Sequence, residues 1–141
     1  MIKGYVKGGA EVVAKLKKVI DKFPDRVAAA LYREAQIEVT EMKRRCPVDT
    51  RPNQYYPRQT APHPGNLRNS IHAEEPERKG RIISVTVATG QQAPYAVFVH
   101  EDSDAFHPVG QWKFMESVLN ESRATMAARV AARIKLNEEA E

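Results

Sequence analysis

The stretch RIISVTVATGQQAPYAVFVH, residues 81–100, decides the fold class. From Arg81 to Thr89 the chain alternates, with Ile83, Val85 and Val87 pointing one way and Ser84, Thr86 and Ala88 the other, the period-two pattern of a half-buried strand. Gly90 to Pro94 supplies a turn, after which Tyr95, Val97 and Val99 fall on one face and Ala96 and Phe98 on the other. Two such runs around a Gly/Pro turn predict an antiparallel hairpin. Upstream, Leu67 to Glu75 adds a further strand with Leu67 and Ile71 toward the core, and Glu74 to Gly80 reads as a charged turn.

Helices precede and follow this segment in the sequence and are expected to pack on one face of the small sheet. After an acidic, proline-containing loop from Glu101 to Gly110, the residues Trp112, Met115, Leu119, Ser122, Met126, Val130 and Ile134 keep helical steps, predicting a final helix of roughly 25 residues, about 38 Å long. Near the N-terminus, Val12, Val13, Leu16, Val19, Ile20 and Phe23 make an apolar stripe among Lys15, Lys17, Lys18 and Lys22, which gives a short amphipathic helix over Glu11–Phe23. Pro24 and Asp25 read as a break and a new start. A second helix then carries Val27, Leu31, Ala35, Val39, Met42 and Cys46 and stops at Pro47, with Arg33, Glu34, Glu38, Glu41, Lys43 and Arg44 as its solvated face. The expected architecture is one α+β domain over residues 1–141: two N-terminal helices, a small, mostly antiparallel sheet of three to four strands, and a long C-terminal helix.

The segment between the second helix and the sheet differs in kind. Residues 51–64 hold Pro52, Pro57, Pro62 and Pro64 with Tyr55, Tyr56, Arg51 and Arg58, and almost nothing that builds a core. An extended loop of this length inside a compact domain is usually functional, and paired tyrosines are common interface anchors.

Composition bounds the function. A chain of 141 residues and 15.9 kDa exposes roughly 7,000 Å² folded against about 23,000 Å² unfolded, so it can bury a core without disulfides or metal. No apolar run approaches the roughly 20 residues of a membrane span, and the start Met-Ile-Lys-Gly-Tyr lacks the layout of a secretory signal, so cytoplasmic synthesis and no membrane partner are expected. The net charge of +4 is uneven: residues 1–72 carry 14 Lys/Arg against 7 Asp/Glu, and residues 73–141 carry 8 against 11. Such asymmetry suits either nucleic-acid attraction or subunits stacked end to end.

Catalytic chemistry finds little footing. His63, His72, His100 and His107 are scattered without paired helical spacing, and Glu101, Asp102 and Asp104 lack the glycine of a calcium-binding loop, so no metal or cofactor is expected. The single cysteine, Cys46, reads as a small buried hydrophobe. No serine sits in a nucleophile elbow, and Gly8-Gly9 forms no phosphate cradle. Lys43, Arg44 and Arg45, followed by Arg51, Arg58 and Arg68, are the best candidates for phosphate contact, which leaves a small basic nucleic-acid-binding regulator as an alternative function.

The order of several short motifs is more specific. Pro47-Val48-Asp49-Thr50, then Gly65-Asn66-Leu67-Arg68-Asn69-Ser70-Ile71, resembles a signature of the tail-component or neck family of lambdoid-type tailed phages, the tail-completion or head-tail joining proteins. The resemblance continues through Val85–Gly90, Tyr95-Ala96-Val97-Phe98-Val99 and Lys113-Phe114-Met115. Two departures stand out. Arg51–Pro64 intervenes where the family runs from threonine directly to glycine, and His100-Glu101-Asp102-Ser103 replaces a usual glutamate, aromatic, glycine, threonine run. The resemblance implies a structural subunit, not an enzyme, that forms a homo-oligomeric ring in the virion neck. Its neighbours would be portal or adaptor on one side and tail terminator or tail tube on the other, around a DNA channel. In such a ring Tyr55, Tyr56, Arg58 and Trp112 are expected at subunit interfaces, and Lys43, Arg44 and Arg45 beside the packaged DNA. Pro47, Asp49, Thr50, Gly65, Leu67, Ser70, Tyr95 and Ala96 would carry the family's fold.

Overall fold

A computed structural model describes residues 9–48, 65–91, 93–104, 107 and 109–139. The chain order is α1 (Gly9–Arg45), α2 (Asn66–Ser70), β1 (His72–Ala73), β2 (Glu77–Lys79), β3 (Ile82–Ser84), β4 (Val87–Ala88), α3 (Ala96–Glu101) and α4 (Phe114–Glu139). The fold is mixed α and β, dominated by two long helices.

The two expected N-terminal helices are one. α1 runs 37 residues, about 55 Å, straight through Pro24. A proline inside a helix removes one amide donor and crowds the preceding turn. Here every residue from Ala10 to Phe23 is exposed, so water can satisfy the carbonyl that Pro24 leaves without a donor.

Of the expected strands, 81–89 is found as two short ones, and its pairing differs from the expected one. β1 pairs antiparallel with β4 (His72 opposite Ala88, Ala73 opposite Val87), and β2 with β3 (Glu77 opposite Ser84, Lys79 opposite Ile82). These are two two-stranded sheets rather than one sheet of three or four strands. They lie along one long hairpin, since Glu74 N donates to Thr86 O at 2.8 Å beyond the β1–β4 pair. Between the two ladders the register shifts by one residue, placing one extra residue on the first arm beside Pro76. A proline has no amide for the ladder, so a bulge there is the natural accommodation. Gly80, at φ 62°, makes the tip. The segment 81–89 therefore turns back on 72–79, in place of the expected partner 95–99, and the expected charged turn 74–80 contains a strand.

Two other stretches change type. Gly65 (φ 88°) starts a short helix, so Leu67 to Ser70 is helical and only His72–Ala73 is strand. Tyr95–Val99 is also helical, as α3. The reason lies in packing: helical steps carry Ala93 and Ala96 into the core, while Val97 and Phe98 stay exposed. A short β-branched run cannot be separated from a buried helix turn by periodicity alone.

The core gathers at the C-terminal half of α1. Val39, Met42 and Cys46 meet Leu67 and Ile71, Ala93 and Ala96, and Phe114 and Val118 from the start of α4, with Ala73 and Val87 of the β1–β4 pair packed against them. α4 then runs antiparallel along α1. Among the described residues no helix is long and apolar enough to cross a membrane.

Candidate functional site

The motif residues meet where α1 ends. Ser70 Oγ donates to Leu67 O at 2.8 Å, lies 2.8 Å from Thr89 Oγ1 and accepts from Gly90 N at 3.3 Å, fastening α2 to the end of β4. Arg68 Nη2 donates to Cys46 O at 3.1 Å, satisfying a carbonyl at the C-terminal end of α1. Tyr95 and Ala96 begin α3 against the same core, and Leu67 is buried in it. Pro47 is clasped from the far side, where Gln111 N donates to Arg45 O at 2.9 Å. Gly110 makes that approach possible, for at φ 89° a Cβ would lie 2.5 Å from Pro47 N and 2.7 Å from Arg45 O. Gly110→Ala is therefore expected to cost about 2–4 kcal/mol from backbone strain and overpacking, read as a lower urea midpoint. Asp49 and Thr50 lie outside the described residues.

α1 and α4 are joined by charged rungs. Arg129 Nε donates to Glu34 Oε1 at 2.7 Å and its Nη2 to Glu38 Oε1 at 2.9 Å, while Arg133 Nη2 reaches Glu34 Oε2 at 3.3 Å. Lower down, Arg45 grips Glu121 with both terminal nitrogens, at 2.7 and 2.6 Å, and Glu41 through Nε at 2.8 Å. Glu34 is only 2% exposed and Glu38 only 5%, which corrects their reading as solvated helix charges. The signal was available in the sequence: Glu34, Glu38, Glu41 and Arg45 repeat at helical steps, and Arg129 and Arg133 share a face of α4.

The carboxyl groups respond to these partners. Burial alone would raise Glu34, but the Arg129 and Arg133 hydrogen bonds and charges pull it below the ordinary range. Glu41 is held down to about 2 by hydrogen bonds from Arg44 and Arg45, and Glu121 is lowered by Arg45. Glu38 goes the other way, raised by burial and by the neighbouring Glu34 charge against the pull of Ser122 and Arg129. A lowered carboxyl stabilises the fold above its unfolded pKa, and that contribution is lost as pH falls through the folded value. Glu34, Glu41 and Glu121 follow this sign, whereas Glu38 favours the fold at low pH and loses that contribution as pH rises through its folded pKa. Glu34 and Glu121 bridge α1 to α4 and outweigh Glu38, so the α1–α4 pairing should weaken as pH falls below the ordinary carboxyl value of 4.5, while Glu41, held by Arg44 and Arg45 of its own helix, adds to the loss toward about 2. The thermal midpoint by circular dichroism should be lower at pH 2.5 than at pH 6, and an equal or higher midpoint would contradict the assignment.

The expected site residues scatter. Arg45 is engaged by Glu41 and Glu121, and Arg44 bonds Glu41 at 2.9 and 2.6 Å while remaining on the surface; Lys43 is half-buried. Trp112 is exposed just before α4, with Lys113 Nζ 5.5 Å from its ring centroid. Tyr55, Tyr56 and Arg58 lie outside the described residues, as does the whole 51–64 segment.

Two uncovered apolar surfaces were not anticipated as such. The first is the free arm of α1. The antiparallel register set by Arg45–Glu121 and Glu34–Arg133 brings the end of α4, Glu139, level with about Val27, so the preceding turns overhang. On them Val12, Val13, Leu16, Val19, Ile20 and Phe23 are 42–67% exposed. The second is a groove of about 690 Å³ between α3 and α4, lined by Ala93, Val97, Met115 and Leu119 and edged by Glu101 and Glu116.

Among the described residues no cluster of His, Cys, Asp or Glu is arranged to hold a metal ion. Cys46 is fully buried, and burial pushes its thiol up to about 11, so it packs as a hydrophobe. Searches of curated proteins and of solved structures return no match. A family model does match: the one described as "Bacteriophage HK97-gp10, putative tail-component" covers residues 10–101, from the free arm of α1 to the end of α3 and well over half of the chain. This chain belongs to the HK97-gp10-like family of bacteriophage tail components.

Proposed function

We propose that the protein is a ring subunit of the phage neck, seated between the portal side of the capsid and the tail around the DNA channel. As a phage tail component it is a structural protein that works against other phage proteins. The observation that favours a ring is the separation of its two uncovered apolar surfaces, the free arm of α1 and the α3–α4 groove, at opposite ends of the molecule. A subunit with different sticky surfaces at its two ends makes head-to-tail contacts, which close into a ring when the rotation per step allows it. In this reading the 51–64 segment, with Tyr55, Tyr56 and Arg58, and the exposed Trp112 reach neighbouring subunits or layers. Lys43 and Arg44 face the channel beside the DNA, with Arg45 fixing the helix end behind them.

The test is the solution mass of the purified protein by light scattering, alone and mixed with capsids lacking tails. A discrete ring, or monomers that join the capsid vertex, supports the neck reading. A monomer or dimer that ignores capsids yet shifts duplex DNA at moderate salt would replace it with the nucleic-acid-binding regulator.

A further inference from the structure

The free arm of α1 is not a stray hydrophobic stretch. Val12, Leu16, Val19, Ile20 and Phe23 lie on the same helical line as Glu34, Glu38 and Arg45, the line that faces α4 farther along. Beyond Glu34 the line turns apolar, and past the end of α4 it has no cover among the described residues. Lys15 and Lys22 border it on one side, with Glu11 next to them, and Lys17 on the other, while Lys18, Asp21 and Asp25 fall on the opposite face. With Val13, the six apolar side chains of the arm expose on the order of 500 Å², the upper end for one patch on a monomer. With the lysine borders, the arm approaches the roughly 800 Å² per partner of a stable interface.

Two parts of the chain that could cover it are poorly placed to do so. The segment from Asp49 to Pro64 is tied at Val48 and at Gly65, so its middle reaches at most about 28 Å. Phe23 lies about 33 Å up the helix from Arg45, and the rest of the arm lies beyond. The arm's own α3–α4 groove is equally remote, because Met115–Arg123 sits beside the Arg45 end of α1.

That groove has the complementary character. Ala93, Val97, Met115 and Leu119 give it an apolar floor, with Val97 and Leu119 exposed. Its walls are two helices, and α4 contributes just over two turns between Met115 and Arg123. This suits a helix presenting anchors at i, i+3 or i+4, and i+7, the spacing of Leu16, Val19, Ile20 and Phe23. The charges agree as well. Glu101 lines the groove, with Asp102 and Asp104 following it, and Glu116 stands on the opposite wall beside Lys113, 2.8 Å away; Arg123 is the one arginine in the lining.

We propose that the free arm of α1, through Leu16, Val19, Ile20 and Phe23, docks into the α3–α4 groove of the next copy of this chain, with Lys15, Lys17 and Lys22 toward its acidic rim. The inference rests on the ring reading and names the contact that closes it. Each subunit gives an arm and receives one.

Two variants test the contact: an arm variant, Leu16→Asp with Ile20→Asp, and a groove variant, Val97→Asp with Leu119→Asp. All four positions are exposed, so both variants should keep the wild-type melting curve. Wild-type protein should self-associate in sedimentation velocity, and each variant alone should do so at least about 100-fold more weakly, since an aspartate would be buried unpaired. Mixed together they should form a dimer that grows no further, because the arm variant keeps an intact groove and the groove variant an intact arm. A mixture that stays monomeric, or a wild-type ring that survives either variant, overturns the pairing. A groove variant that dimerises alone would mean that arms pair with arms, and a melting midpoint lowered only in the arm variant would mean an intrachain cover such as residues 1–8. Wild-type protein that is monomeric in solution also overturns the contact, yet its incorporation at the vertex of tailless capsids would keep the neck reading; failure of both would remove both.

Discussion

Arg129→Leu is expected to lower the unfolding free energy by about 3 kcal/mol at pH 7, although Arg129 is itself more than a third exposed. The cost arises on the other side of the pair. Glu34 is almost wholly buried and Glu38 nearly so, and Arg129 donates to both. Removing one partner of a buried ion pair leaves an uncompensated charge, at about 3–5 kcal/mol for fully buried pairs; partial exposure of the arginine puts this case at the lower end. The effect has a pH signature. Without Arg129 the burial that now opposes ionisation of Glu34 is less offset, and both carboxyl groups bind protons more readily. The variant therefore regains stability as pH falls while the wild type loses it. Urea unfolding should show a deficit at pH 4 clearly smaller than at pH 7. An equal deficit at both would mean that the arginine's stem, not its charge, matters.

Phe114→Ala should be as damaging for a different reason. Phe114 is the first residue of α4, fully buried, and packs edge-on to His100 with ring centroids 5.1 Å apart. Its loss opens a cavity among Met42, Ile71 and Val118 and is expected to cost about 3–5 kcal/mol, a drop of roughly 10–15 °C in Tm. It also unseats the turn at Lys113, whose φ of 48° is held by a 2.8 Å bond from Lys113 N to His100 O. Phe114→Leu should recover more than half of the loss. If the alanine variant melts within about 3 °C of wild type, the core is centred elsewhere.

The two long helices were legible because their apolar residues repeat over many turns, and a long stripe outweighs local accidents. Pro24 was misread for the complementary reason: a proline is strong local punctuation, yet an exposed arm can tolerate one missing hydrogen bond. Short segments lacked that averaging. Tyr95–Val99 holds one helical turn or one strand of residues equally well, and the pairing of Ala93 and Ala96 with Phe114 across the core settled the matter from outside the segment. Glu34 and Glu38 show the same limit, since a carboxylate on a helix face is solvated unless a partner sits opposite, and Arg129 lies 91 residues beyond Glu38. The apolar stripe of the arm was read correctly. Its exposure was not, because a periodic pattern says which side of a helix seeks cover and not whether that cover is supplied by its own chain.

An unbroken α1 also makes the subunit a lever. Val12 stands 22 residues beyond Glu34, about 33 Å, so a tilt of roughly 5° at the Arg129 rungs carries the arm's tip sideways by about 3 Å. That is more than half the rise of a helical turn, enough to move an anchoring side chain off its seat. The bonds from Arg129 and Arg133 to Glu34 sit toward the overhang and act as a fulcrum. What they guard is aim: the direction in which the molecule points its free end and, in the ring proposed above, the angle through which successive molecules would turn.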